Sequence, residues 1–352
     1  MKILFAGLKN EYGDPKRGES FEYKNFFETL FGMEGVNAEM FPFDEIMEKV
    51  GRDEMNRQLI LKVKQDKPDL LFCFLFTEEI KKETIEYITK KTNTKTLNWF
   101  ADDHWRFPIF SKYWAPLFTA VATTDSQALN KYRKLGIKNV IHSQWAVNPK
   151  LFFPQSKEEK YDITFVGLNY SIREKYIKYL SNAGLPVKAF GTGWPAGTVP
   201  KEQTAQIWSN SEINLNFTES SAFGAAFLLK LMGKLFIKKE LGKYKFNARN
   251  FLPNLKSALA MKRRQIKSRN FEIPATGGFL LTGDADNLTD YYENGKEIVI
   301  FKNKQDLIEK CKYYMEHEEE RNAIAKAGYE RTIKDHTYEQ RFREIFSAMG
   351  LM

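Results

Sequence analysis

Glu272 stands two residues before Pro274 and five before the pair Gly277-Gly278. This stretch lies near a helix start, where glycines let backbone approach a ligand closely. A carboxylate placed there can accept hydrogen bonds from both hydroxyls of a ribose, as acidic residues do in other nucleotide-binding folds. The competing assignment is a Glu that caps its own helix. Arg269, three residues earlier, is close enough to share the site, and Arg173 opens a helix that follows Gly167. A diphosphate needs this kind of positive charge, above all as it leaves. Each arginine suits an ordinary surface position equally well. Gly167, Gly191 and Gly193 end predicted strands, where glycine lets a loop turn under a bound nucleotide, and Trp194 is placed to stack on a base.

A second group is Asp102, Asp103 and His104, directly after a predicted strand. Such a carboxylate can take a proton from a hydroxyl nucleophile, and such a His can hold the group being transferred. Adjacent Asp residues that cap the next helix are the plainer alternative. His142 and His336 suit structural positions, and His317 falls on a charged helical face. No His, Cys and carboxylate cluster has the spacing of metal ligands. The loop Gly13–Ser20 lacks a GxGxxG pattern, which argues against a dinucleotide-dependent dehydrogenase.

These residues need a scaffold, and the chain supplies strand-helix alternation from its first residue. Strands are expected at Lys2–Ala6, Asn37–Pro42, Asp69–Phe74, Lys95–Phe100, Ala120–Thr124 and Asn139–Ser143. Asn148-Pro149 and the charged stretch Pro154–Lys160 read as a hinge. Alternation resumes with strands at Asp162–Val166, Pro186–Phe190, Glu212–Phe217, Gly278–Thr282 and Ile298–Phe301. Helices fall at Ser20–Gly32, Ser171–Asn182, Lys201–Ser209, Lys304–Glu316 and Glu318–Lys334, and Tyr338–Met349 is a last helix with no strand after it. Two α/β halves of this kind predict doubly wound, mostly parallel sheets, with the ligand cleft between the halves at the carboxyl ends of the strands.

At 352 residues, 43% hydrophobic and 14% aromatic, the chain has apolar material for two cores. Its two cysteines, Cys73 and Cys311, sit in apolar and helical runs and read as buried thiols, which suits a reducing compartment. No apolar run is long enough for a signal peptide or a membrane span, so the expected location is cytoplasmic. The net charge of +9 is concentrated, since residues 222–270 carry thirteen Lys or Arg against Glu240 alone. Phe223, Phe227, Leu228, Leu231, Leu235 and Phe236 interleave there with Lys230, Lys234, Lys238 and Lys239. At helical spacing this gives an apolar face flanked by lysines, fit for the inner surface of an anionic membrane through residues 222–262. An insertion helix packed on its own domain fits the same pattern. Nucleic acid is disfavoured, because the charge comes with no recognition motif.

From about Asp162 onward the chain resembles the C-terminal half of group 1 glycosyltransferases, in the CgeB-type (spore maturation) branch. The resemblance rests on Asp162-Ile163-Thr164-Phe165-Val166-Gly167, Ile213-Asn214-Leu215-Asn216, Arg269–Leu281, Gly295-Lys296-Glu297-Ile298, Ala323–Gly328 and His336-Thr337-Tyr338. Looser anchors precede it at Asn98–Asp103 and Trp145–Pro149. The resemblance implies a GT-B fold: two Rossmann-like domains facing across a cleft, with a C-terminal helix crossing back to the first. It would divide the chain into an acceptor-side domain, 1–155, a nucleotide-sugar domain, 156–336, carrying the basic insert at about 222–262, and the returning helix, 337–352.

The family's Glu-x7-Glu pattern places its second Glu at Glu272 and its first at Arg264, where this sequence departs from it. The implied function is metal-independent transfer of a sugar from a UDP- or GDP-type donor to a glycan, a lipid-linked sugar or a protein. Asp102, Asp103 and His104 would face the acceptor, and Arg17 and Gly18 would line the cleft. A GT-B-shaped sugar-nucleotide epimerase or hydrolase, or a non-catalytic nucleotide-sugar-binding module, would share the same donor residues.

Overall fold

The computed structural model describes residues 1–75, 77–155, 160–219, 237–240, 243–246 and 251–352. The chain forms two compact units. One comprises Met1–Gln144, Lys230–Met261 and Tyr338–Met352, and the other Trp145–Leu229 and Lys262–Thr337.

The first unit is built on six parallel strands: β1 (Lys2–Gly7), β2 (Asn37–Pro42), β3 (Leu70–Cys73), β4 (Lys95–Phe100), β5 (Ala120–Thr123) and β6 (Val140–His142). Their order is β2-β1-β3-β4-β5-β6. Both faces of such a sheet are covered, so its strands read as unbroken apolar runs, and all four residues of β3 are buried. The last helix, Tyr338–Ala348, buries Tyr338, Arg341, Phe342, Ile345 and Phe346, one stripe at helical spacing. Phe342 packs 5.2 Å from Phe26 and 5.5 Å from Phe72, between ring centroids. This helix thus returns to the first unit, as a GT-B fold requires.

The second unit has five parallel strands: β7 (Tyr161–Val166), β8 (Lys188–Phe190), β9 (Ser211–Asn216), β12 (Leu280–Gly283) and β13 (Val299–Phe301), in the order β13-β12-β9-β7-β8. The chain passes from β7 to β8 on one side and then returns to β9 on the other. The carboxyl ends of β7 and β9 therefore flank the point where winding reverses, the place where open α/β sheets bind ligands.

The basic segment departs from expectation. Residues 223–236, the heart of the predicted amphipathic helix, lie outside the described residues. Lys238 and Lys239, assigned to that helix, belong instead to β10 (Ile237–Glu240), which pairs antiparallel with β11 (Lys243–Phe246). A further helix, Phe251–Ala260, packs against Asp103–Arg106 and Phe107–Ser111. The stretch Lys230–Met261, expected within the second domain, thus groups with the first unit.

Candidate functional site

Two glycine loops meet at the end of β7. Gly167 N–H donates to the Phe190 carbonyl at 2.8 Å, and Asn169 N–H to the Thr192 carbonyl at 2.9 Å. Gly191 adopts φ +125°, and a Cβ there would lie 2.3 Å from the Gly167 carbonyl oxygen. Only glycine allows this approach. Gly193, at φ +87°, faces Asn169, whose side-chain amide donates to the Gly193 carbonyl at 2.9 Å. Trp194 closes the arrangement from beneath: its indole N–H donates to the Gly167 carbonyl at 2.8 Å and its ring meets Phe165 edge-on at 6.0 Å. It is 9% exposed. Trp194 is therefore a core residue whose polar handle is already used, and it is not presented for stacking on a base as expected.

Above Gly167 two cations converge. Arg173, in the first turn of the helix Ser171–Asn182, is buried, donates to the Leu168 carbonyl at 3.1 Å and lies 4.2 Å over the Tyr170 ring. Arg269 opens the helix Arg269–Ala275. A Cβ on Gly167 would lie 2.9 Å from Arg269 Nη1 and 3.1 Å from Arg173 Nη1, so both guanidiniums reach over this bare backbone. Arg269 Nη1 and Arg173 Nε are buried with no hydrogen-bond partner. Burial first, and the Arg269 charge second, pull Arg173 down to about 10. Arg269 is lowered as well, by burial, with Glu272 opposing the fall. Two like charges with open donors in a dry place are costly until an anion completes them.

Glu272 is 6% exposed and lies within the helix Arg269–Ala275, not on a loop beside it. The glycine pair that follows has a structural explanation. Gly277, at φ +70°, ends the helix, with its N–H donating to the Pro274 carbonyl at 2.9 Å. A Cβ on Gly278 would lie 2.7 Å from Asn214 Nδ2 and 2.8 Å from the Trp208 carbonyl oxygen. Gly277 thus ends the helix, and Gly278 lets it settle against Asn214 of β9.

Several polar residues at this edge were not anticipated. Asn216 Nδ2 donates to Asn270 Oδ1 at 3.2 Å and Thr282 Oγ1 at 3.1 Å, while Asn216 Oδ1 is buried without a partner. Arg264 Nη2 contacts Glu219 Oε1 at 3.0 Å, and the Tyr176 hydroxyl donates to the same oxygen at 3.2 Å. The Tyr170 hydroxyl donates to the Glu219 carbonyl at 2.8 Å. Position was the available signal: Asn216 ends β9, and Glu219 is the last acidic residue before the basic segment.

In the first unit the acidic pair divides. Asp103 is fully buried, accepts from the Tyr132 hydroxyl at 2.8 Å and is pushed up to about 6 by burial, against hydrogen bonds that lower it. Contrary to expectation, it faces the core and not an acceptor. His104 is 6% exposed. Asp102 is half-buried at the N-cap of the helix Asp103–Arg106 and remains the accessible member. Arg17 is exposed and pairs with Asp14 at 3.5 Å, and Gly18, at φ +76°, has open space on its Cβ side. Their loop is pinned by Asp44, which accepts from Lys9 N–H at 3.0 Å and Asn10 N–H at 2.9 Å.

Among the described residues no group of three or more His, Cys, Asp or Glu is arranged to hold a metal, and no helix is long and apolar enough to cross a membrane. Cys73 and Cys311 are buried free thiols, and burial pushes Cys311 up to about 12.

A family model described as glycosyl transferase-like matches residues 238–347, the segment that contains Arg269 and Glu272. The spore protein CgeB of Bacillus subtilis is 21% identical over 306 residues, 82% of this chain and 85% of that protein. Sucrose-phosphate synthase from Thermosynechococcus elongatus superposes with a TM-score of 0.61 at 10% identity, covering 99% of this chain and 100% of that one. Anabaena HepE in complex with UDP and glucose gives 0.59 at 10% identity, covering 100% of both chains. A glycosyltransferase from Rickettsia africae gives 0.60 at 11%, covering 99% of this chain and 97% of that one. The fold is GT-B. The chain is CgeB-like over most of its length and glycosyl transferase-like in the segment that carries Glu272.

Proposed function

We propose that this chain is a glycosyltransferase that moves a sugar from a nucleoside diphosphate, of UDP or GDP type, to a glycan, lipid-linked sugar or protein. The observation that carries this reading is the convergence of Arg173 and Arg269 on Gly167, with buried donors left open at the reversal point of the second sheet. A diphosphate fits that place by charge and by hydrogen-bonding capacity. The two guanidiniums can take the charge of the leaving diphosphate, which supports a reaction that needs no metal. Glu272, beside Arg269, is placed to accept from ribose hydroxyls. Asp102 is the group offered for deprotonating an acceptor. HepE, which shares the fold, was determined with UDP and glucose bound.

A thermal-shift screen with UDP-, GDP-, ADP- and TDP-sugars tests the donor site. One nucleotide family should stabilise the protein, and Arg269→Ala or Glu272→Ala should abolish the shift. Silence towards all four would sink the reading. Product analysis with and without an acceptor pool separates transfer from epimerisation or hydrolysis of the donor.

The chain is further proposed to work in the cytoplasm, resting on an anionic membrane through residues 222–262. Leu252 and Leu259 support this: both are exposed on the helix Phe251–Ala260, within the basic segment. Apolar side chains amid lysines favour an anionic lipid surface. Flotation with anionic liposomes at low salt should carry the protein upward, and failure to float would reject the membrane role.

A further inference from the structure

Glu219 lies three residues beyond Asn216, the end of β9, at the carboxyl edge of the second sheet. It is 6% exposed, and its two oxygens differ. Oε1 accepts from Arg264 Nη2 at 3.0 Å and from the Tyr176 hydroxyl at 3.2 Å. Oε2, also buried, has no hydrogen-bond partner. Tyr176 is held as a donor, because burial and the Glu219 charge push its hydroxyl up to about 12.

The neighbourhood ties this carboxylate to the two converging arginines. Tyr170 donates to the Glu219 carbonyl and lies under the Arg173 guanidinium at 4.2 Å. The Glu219 charge is near enough to act on Arg173. Charge balance then limits what Oε2 can take. Arg264 already neutralises the carboxylate, so a second cation would leave excess positive charge beside Arg173 and Arg269. A neutral O–H donor satisfies the oxygen without that cost. A buried acceptor left open is unfavourable, and a hydroxyl-bearing ligand would recover that cost.

We infer that Glu219 Oε2 accepts a hydrogen bond from a hydroxyl of the donor's sugar, making Glu219 a specificity-determining residue. This rests on the donor-site reading above. The Arg173–Arg269 pair takes the diphosphate, and Glu219 distinguishes a nucleotide sugar from a bare nucleotide. Arg264 is a positioning residue: it fixes the carboxylate and leaves Oε2 turned to the sugar.

Calorimetric titration of UDP, GDP, UDP-glucose, UDP-galactose and GDP-mannose into wild type, Glu219→Ala and Glu219→Gln tests the inference. The free nucleotide should bind the variants no more weakly than wild type, since loss of the Glu219 charge only favours an anion, whereas the nucleotide sugar should weaken about tenfold in Glu219→Ala. Glu219→Gln, which keeps an acceptor of the same shape, should lose less. Should Glu219→Ala fail to fold, the same ratio read on Glu219→Gln decides, with any selective loss of sugar supporting the inference. Nucleotide and nucleotide sugar weakened in parallel, or neither weakened, would overturn it while leaving the donor site standing. A wild type that binds no nucleotide at all would remove the donor-site reading and this inference together.

Discussion

Arg269 and Arg173 bring their Nη1 atoms to 2.9 Å and 3.1 Å of one point above the Gly167 backbone. A fold that pursued stability alone would not hold two guanidiniums in this way, with buried nitrogens left open on each. The arrangement stores repulsion that a bound anion would release, so stability and binding should respond in opposite directions to the same substitution.

Arg269→Met should therefore leave the ligand-free protein as stable as wild type or more so, since it removes a buried like charge. The same change should weaken nucleoside diphosphate binding about tenfold to a hundredfold, the worth of one or two charge-assisted hydrogen bonds. Melting curves with and without UDP or GDP read both effects. A large loss of ligand-free stability would contradict the repulsion.

Gly191→Ala tests the joining of the two glycine loops. The new Cβ would meet the Gly167 carbonyl oxygen at 2.3 Å, on a backbone at φ +125°. Strain at such a position costs on the order of 1–3 kcal/mol, and the clash adds to it. Urea unfolding should show the loss, together with weaker nucleotide binding, because the displaced carbonyl belongs to the residue beneath both arginines.

Trp194→Phe separates a core role from a base-stacking one. Loss of the indole N–H leaves the Gly167 carbonyl without that donor, so stability should fall by about 1 kcal/mol. Nucleotide affinity should change by less than about threefold, well short of the 1.4 kcal/mol that a tenfold loss represents. A tenfold loss of affinity without loss of stability would restore the ring to the binding surface.

Asp103 predicts a pH dependence of stability. Its folded value of about 6 lies above the unfolded carboxylate value, so the folded state holds this proton more tightly than the unfolded chain. Stability from this group is fully present below about pH 4 and is lost as pH rises to about 6, by up to about 3 kcal/mol. Asp103→Asn should remove that slope, so the difference between variant and wild type in urea titrations should grow across this window and then level off. An unchanged slope would refute the shift.

The strands were legible because parallel sheets bury both faces, which turns segments such as Leu70–Cys73 into unbroken apolar runs. Position after a strand drew attention to Gly167 and Arg173, and position near a helix start drew it to Glu272 and its neighbour Arg269. The structure brings Gly167, Arg173 and Arg269 together. Harder to read were roles set by distant partners. Nothing local to Gly278 tells of Asn214 and the Trp208 carbonyl, and nothing near Glu219 announces Arg264. Asp102 and Asp103 are adjacent and chemically alike, yet one stays half exposed and the other is sealed against Tyr132, a distinction that only packing makes. Lys238 and Lys239 matched a helical pattern through neighbours on one side alone, whereas the pairing with Lys243–Phe246 made the segment a strand.

The helix Tyr338–Ala348 packs on Phe26 and Phe72, although the whole second unit intervenes in the chain. A ribosome therefore releases the strands of the first sheet long before the segment that covers them. Phe26 and Phe72 must wait, exposed or chaperoned, while the later sheet is completed. Maturation of the amino-terminal half is thus timed by the finishing of synthesis, and a stalled or shortened product would be expected to present a sticky aromatic face for quality control to recognise.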